Sequence, residues 1–170
     1  MESRARLLGH PIHQMLIVFP LGLLGMAVIF DVIRLVTGSA GLGVASYYMI
    51  VAGVVGGLAA AVFGFIDWSA IPSGTRAKSV GTRHAVGNVV VVLLFAGSWW
   101  LRLADPANPP TLALVLAVVG AGLSLATAWL GGELVDRLGV GVDDGAHLDA
   151  PSSLSGRPAH DRSDIAPRRT

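Results

Sequence analysis

Gly9-His10-Pro11-Ile12-His13-Gln14 leads without interruption into an apolar run from Met15 to Phe30, and the reading of this stretch decides the fold. About 20 predominantly apolar residues carry an α-helix across the hydrocarbon core of a bilayer. The run therefore reads as a first membrane span, from about residue 12 to 36, with two imidazoles at its mouth. Proline is accepted in the first turn of a helix, where its missing N–H has no partner to lose, so Pro11 predicts a helix start with His10 as cap and His13 one turn inside. The positive end of the helix dipole disfavours imidazolium there. Neutral imidazole is the form that ligates metals and accepts protons.

Composition agrees with a membrane protein. Hydrophobic residues make up 53% of the 170 and charged residues 14%, with mean hydropathy +0.66, whereas a soluble domain carries about 25% charged residues. A net charge of +1 without a basic cluster offers no footprint for nucleic acid, which is excluded as a partner. The absence of cysteine excludes disulfides, thiolate metal sites and iron-sulfur clusters. Arg4 and Arg6 before the apolar run, and Gly38-Ser39-Ala40 after it, have the outline of a signal peptide. The run is longer than a signal core and contains Asp31 and Arg34, so it is read as a retained span.

Three further apolar segments follow, at about 45 to 66, 84 to 103 and 111 to 135. Irregular backbone cannot face lipid, so each is predicted to be a helix. Pro20 removes one hydrogen bond, leaves the Leu16 carbonyl without its helical partner and predicts a kink. Thr37 to Gly43 reads as a tight glycine-rich connection, and the polar stretch from Ser69 to Thr82 as a link, with Thr82 capping the third helix. The prolines from Pro106 to Pro110 interrupt the next connection, and Gly53, Gly56, Gly57 and Ala61 allow close helix packing. The expected fold class is thus all-α, an integral four-helix membrane bundle over residues 1–139. Residues 140–170, rich in Asp, Ser, Pro and Arg, read as a disordered cytoplasmic tail.

Lys and Arg concentrate in cytoplasmic loops. Arg4, Arg6, Arg76, Lys78, Arg83 and Arg137 fall on one side, against Arg34 and Arg102 on the other, which predicts both termini in the cytoplasm and a multi-pass protein of the plasma membrane. Tyr47, Tyr48, Trp99 and Trp100 then mark the outer interface, Trp68 and Trp129 the inner one.

This topology puts His10, His13, Asp67, His84 and Glu133 at one depth, near the cytoplasmic face. Each helix pair opens on a histidine and closes on an acid, His13 to Asp67 and His84 to Glu133, a weak internal repeat of the parallel kind. Ionisable residues at spans mark functional sites, though near helix ends they also simply reach for water. His10 serves equally as a polar cap. A carboxylate at a helix C-terminus opposes the dipole and needs compensation. Arg137 can supply it for Glu133, and Arg83 or an interfacial hydrogen bond for Asp67; Asp31 finds its simplest partner in Arg34, one turn away.

His10-Pro11-Ile12-His13 with Pro20 and Gly22, Phe30-Asp31, Gly64-Phe65-Ile66-Asp67-Trp68, Arg83-His84-Ala85 with Asn88, and Trp129-Leu130-Gly131-Gly132-Glu133-Leu134-Val135 follow one another in an order and spacing that resembles the predicted membrane-protein family catalogued as domain of unknown function 2231. The resemblance covers about Gly9 to Gly141. Gln14 stands where that family often has a second proline, and Asp136 where it often has tyrosine. The resemblance implies no defined reaction. In some relatives a similar membrane module is joined to a Rieske-type iron-sulfur domain, which implies electron transfer.

Three readings follow. In the first, His13 and His84 hold a b-type haem, with Asn88 as supporting hydrogen-bond partner and Gly22 and Gly25 leaving room for the macrocycle; a redox partner protein then docks on the module. The second takes a divalent metal ion or proton on His10, His13, Asp67, His84 and Glu133. In the third the polar cluster only joins helices, within one chain, in a homodimer or against a partner.

Overall fold

In the computed structural model, which describes residues 1–163, the chain opens with a β-ribbon, β1 (Arg6–Leu7) against β2 (His10–Pro11). Leu8 and Gly9 join the two strands, both with positive φ, 52° and 86°, as a type I′ hairpin turn requires. Helices α1 (Ile12–Leu16) and α2 (Val18–Thr37) follow, then α3 (Ala40–Ala70), α4 (Arg76–Leu101) and α5 (Thr111–Gly132), which widens into a π-type turn over Glu133–Arg137. By length and composition, four helical stretches can cross a membrane: Ile12–Thr37, Ala40–Ala70, Arg76–Leu101 and Thr111–Arg137. Apart from the ribbon, the architecture is the all-helical, four-span one expected.

The first span breaks at Ile17, where the kink was expected. The Leu16 carbonyl faces Pro20, which has no N–H, and the ladder resumes with Leu21 N–H donating to Ile17 O at 3.2 Å. Three boundaries differ from expectation. His10 is not the cap; it pairs with Leu7 in the ribbon, and Pro11 occupies the cap position. The second helix starts at Ala40, after Gly38 ends α2 in the left-handed conformation with φ 70°. Gly43 lies inside this helix, and the Ala107 carbonyl, crossing where a Cβ would stand, requires glycine there. The third helix starts at Arg76, capped by the Thr75 hydroxyl, which accepts from Lys78 N–H at 3.1 Å. Thr82 lies inside it and donates to Lys78 O at 2.8 Å. Hydropathy reads the charged turns from Arg76 to Arg83 as loop, yet a helix needs no apolar face where it leaves the bilayer.

Helix α2 packs on α3 and α4 on α5; these hairpins join through α3 against α4 and α2 against α5, so that α2 and α4 stand at opposite corners. Leu24, Ala27, Ile50, Val91, Phe95 and Ala117 form the core, while Val18, Phe19, Leu58, Val62, Leu93, Leu125 and other large apolar residues cover the outside, where lipid rather than water makes them tolerable.

The two hairpins share a set of equivalent contacts. A Cβ on Gly53 would meet Leu24, and one on Gly120 would meet Phe95; the shifts are 95 − 24 = 71 on one helix and 120 − 53 = 67 on the other. With the same shifts, Ser46 Oγ donates to Ala27 O at 3.1 Å and, with donor and acceptor exchanged, Ser98 Oγ donates to Ala113 O at 2.7 Å. This is a parallel repeat, with opposite corners of the bundle as equivalent positions.

The two ends of the described chain meet at the ribbon end of the bundle. Met1 and Gly139 to Gly141 exchange backbone hydrogen bonds, Arg6 pairs with Asp143 at 2.5 Å, and Ser153 Oγ lies 3.3 Å from His10 Nε2. Ser153–Ser155 forms a short 3₁₀ turn. Residues 164–170 of the expected tail lie outside the described residues.

Candidate functional site: a histidine pair between opposite helices

Helices α1 and α4 enter the bundle from the same end at opposite corners, so a side chain in the matching turn of each points at the other. His13 and His84 occupy those positions, with 84 − 13 = 71, the shift of the internal repeat. Their rings are perpendicular, at 84°, with centroids 6.3 Å apart. His13 Nδ1 lies 2.8 Å from Ala60 O on α3, and His84 Nδ1 lies 2.9 Å from Thr127 O on α5. A carbonyl only accepts, which assigns a proton of each ring to Nδ1; in a neutral ring Nε2 then keeps its lone pair. A glycine backs each ring: a Cβ at Gly64 would come within 2.9 Å of His13, and one at Gly131 within 3.2 Å of His84. The two imidazoles are thus seated by equivalent groups on equivalent helices, with 127 − 60 = 67 and 131 − 64 = 67.

The equivalence ends one turn further on. Asn88 follows His84 by four residues; its Nδ2 donates to His84 O at 2.9 Å and reaches His84 Nε2 at 3.3 Å, while its Oδ1 accepts from the Thr127 hydroxyl at 3.1 Å. The corresponding positions around His13 are Ile17 and Ala60, neither with a polar side chain.

The other expected members of the cluster are engaged elsewhere. Asp67, whose place at the end of α3 opposes the helix dipole, receives N–H bonds from Arg4 at 2.8 Å and Ala5 at 3.2 Å and has the Ser3 hydroxyl 2.8 Å from both its oxygens. The N-terminal segment, not Arg83, supplies the compensation. Glu133 forms its salt bridge with Arg76 across the hairpin rather than with Arg137. In the repeat Asp67 matches Leu134, not Glu133, since 67 + 67 = 134. His10 is exposed and lies against Ser153. Among the described residues, no three His, Asp or Glu side chains come together in a metal-holding group. Lys78 spans the end of α3, its Nζ 2.7 Å from Trp68 O and 3.6 Å from the centre of the Trp68 ring, and so neutralises that helix terminus at the interface.

At the far end of the bundle lies a second polar group absent from the expected site. Asp31, 3% exposed, pairs not with Arg34 but with Arg102, which is fully buried. The pairing is bidentate, at 2.9 and 2.6 Å, and Arg102 also donates to Ser46 Oγ and Ser98 Oγ at 3.3 Å. Asp31 and Arg102 are again equivalent positions, 102 − 31 = 71. That spacing, shared with His13 and His84, was the signal in the sequence that linked them; one-turn proximity to Arg34 hid it.

Among the described residues the pair offers two imidazoles and no third donor, and its spacing is also that of ordinary edge-to-face ring packing. A metal at ~2.0 Å from a nitrogen of each ring, with about 1 Å more to each ring centre, separates the centres by about 6 Å when it lies in line between them. The 6.3 Å between the ring centres is of this size, and an Nδ1–H donated to a backbone carbonyl is an arrangement common to ligating histidines. At Gly22 and Gly25, expected to make room for a macrocycle, a Cβ would meet open space and neither ring; the glycines whose Cβ positions adjoin the rings are Gly64 and Gly131.

Residues 9–144 match the model of a family described as predicted membrane protein, DUF2231. No curated protein and no solved structure matches the chain.

Proposed function

We propose, for a multi-pass membrane protein that belongs to the DUF2231 family, that it is a membrane redox module in which His13 and His84 would hold a b-type haem. One observation carries this reading: perpendicular imidazoles from opposite helices stand 6.3 Å apart, each with its Nδ1–H committed to a main-chain carbonyl. When bound, the haem iron supplies one-electron transfer. The protein's own part is to hold and tune. Ala60 O and Thr127 O fix the tautomer and orientation of the two rings and raise the basicity of each Nε2. Gly64 and Gly131 let the helix backbones close on the rings. The apolar bundle lowers the local dielectric, and with it the tolerance for added charge at the iron.

Both termini and the link at residues 71–75 belong to the cytoplasmic side in this reading, because Arg4, Arg6, Arg76, Lys78, Arg83 and Arg137 gather there. Electrons then reach the site from a partner docked on that face. Titration of the apoprotein with haemin tests the reading: one equivalent should bind and give the absorbance bands of a six-coordinate low-spin haem. Metal analysis of the protein as purified separates haem iron from a bare metal ion. A protein that binds neither haem nor a transition metal would leave the pair as a helix-joining contact.

A further inference from the structure

The repeat leaves a group of charges at the end of α5 without a counterpart. Where that helix widens into its π-type turn, Trp129, Gly132, Glu133, Asp136 and Arg137 line an open cleft of about 190 Å³. Subtracting the shift of 67 gives Val62, Phe65, Ile66, Ser69 and Ala70 as the matching positions on α3, a set without a charge. One hairpin closes with those residues, so packing does not demand Glu133, Asp136 and Arg137 in the other. Nor do the charges simply neutralise one another. Glu133 is bridged to Arg76, but Asp136 and Arg137 are exposed, and their side chains have no hydrogen-bond or ion-pair partner among the described residues. Asp136 leans back over Gly132, its Oδ2 3.9 Å from where a Cβ would stand, and the glycine leaves the space beside that carboxylate open.

We infer that this cleft binds the headgroup of a zwitterionic phospholipid that carries a primary ammonium, of the phosphatidylethanolamine kind. Charge complementarity selects it. The carbonyl end of a helix favours cations, and Glu133 and Asp136 add two carboxylates there, with the guanidiniums of Arg76 and Arg137 beside them. These four side chains sum to zero, which matches a headgroup of no net charge. An ammonium with three N–H donors suits the carboxylates, and a phosphate suits the planar fork of Arg137. The cleft has one aromatic wall, Trp129, rather than the cage of rings that a quaternary ammonium requires. Its volume is below the ~300 Å³ of a pocket for a drug-sized molecule, so it takes a headgroup and leaves the chains outside. The chains have a path. Val115, Val118, Leu125 and Trp129 are exposed along one stripe of α5 that runs into the cleft, and a Cβ at Gly122, within the stripe, would meet open space. Trp129 then stands where chain and headgroup meet, as interfacial tryptophans do. The inference does not depend on what His13 and His84 bind.

Native mass spectrometry of the full chain, released from mixed micelles with equal amounts of phosphatidylethanolamine, phosphatidylcholine and phosphatidylglycerol of identical acyl chains, tests this. The ethanolamine lipid should be retained in preference to the other two. Stepwise N-methylation of its ammonium, on the same phosphate and chains, should lower retention by the unaltered protein at each step, a readout that needs no variant to fold. Asp136→Asn keeps the shape of an exposed side chain and should cut the preference for ethanolamine over choline lipid about two- to fivefold, which is what an ion pair open to solvent contributes. Arg137→Gln should lower retention of both lipids by a similar factor and leave that preference in place. Equal retention of the ethanolamine and choline lipids, or a preference that Asp136→Asn leaves intact, would overturn the inference. So would strongest retention of phosphatidylglycerol, which would make this face a basic surface for anionic lipid.

Discussion

Replacing Asp31 by alanine leaves the Arg102 guanidinium, which has no exposed surface, with only two serine hydroxyls at 3.3 Å in place of a bidentate carboxylate. Loss of one partner from a buried ion pair costs about 3–5 kcal/mol, because the remaining charge stays desolvated. Asp31→Ala should lower stability by that amount, measured by reversible unfolding in mixed micelles. Exchange of the two charges, Asp31→Arg with Arg102→Asp, is the sharper perturbation. The internal repeat makes the positions equivalent, so the pair should re-form in reverse; what is lost is the bonds to Ser98 and Ser46, about 1 kcal/mol each. The doubly substituted protein should therefore recover all but about 1–2 kcal/mol of the wild-type stability. An exposed pair would show a coupling of only about 0.2–1 kcal/mol. A coupling in that range, or an Asp31→Ala protein as stable as wild type, would mean that Arg102 reaches water or headgroups and that the repeat is not a guide to the bundle's interior.

Other consequences follow from the same packing. Gly64→Ala places a Cβ 2.9 Å from the His13 ring, and should weaken haemin binding while lowering stability by only about 1–3 kcal/mol, the usual effect of overpacking; unaltered binding on titration would show that the ring has room. A cysteine at Ser73 in this cysteine-free chain should be labelled from the cytoplasm only, and modification of intact cells by an impermeant reagent added outside would reverse the proposed topology. Truncation after Gly141 removes Asp143, Asp144 and Ser153 from the N-terminal ribbon; such surface contacts are worth at most about 1 kcal/mol each, so the melting temperature should change by a few degrees, and a collapse of the membrane domain would make the tail part of the fold.

The four spans, the break ahead of Pro20 and the meeting of His13 with His84 were all legible in the sequence, because apolar run length, a missing N–H and first and third spans entering from one side each leave a local mark. The start of α4 was not: a helix that protrudes from the bilayer carries Arg76, Lys78 and Arg83 as a loop would. Nor were the partners of the acids. Asp67 is satisfied by backbone N–H groups of Arg4 and Ala5, which any sequence supplies, and Glu133 by an arginine across the hairpin. Asp31 shows how a nearby residue misleads: Arg34 is one turn away on the same helix, but the buried face of α2 at Asp31 looks at Arg102. The difference between His84 and His13 was half visible, since Asn88 stands one turn from His84, but the Thr127 hydroxyl, 3.0 Å from Ser124 O and 3.1 Å from Asn88 Oδ1, comes from another helix.

That His13 and His84 act as one centre is tested most directly by the visible absorbance of the haemin-reconstituted protein. The wild type should show a six-coordinate low-spin spectrum that His13→Ala and His84→Ala each abolish, with the double substitution adding little because the two ligands act as a unit. An unchanged spectrum in either single variant, in a protein that remains folded, would contradict it.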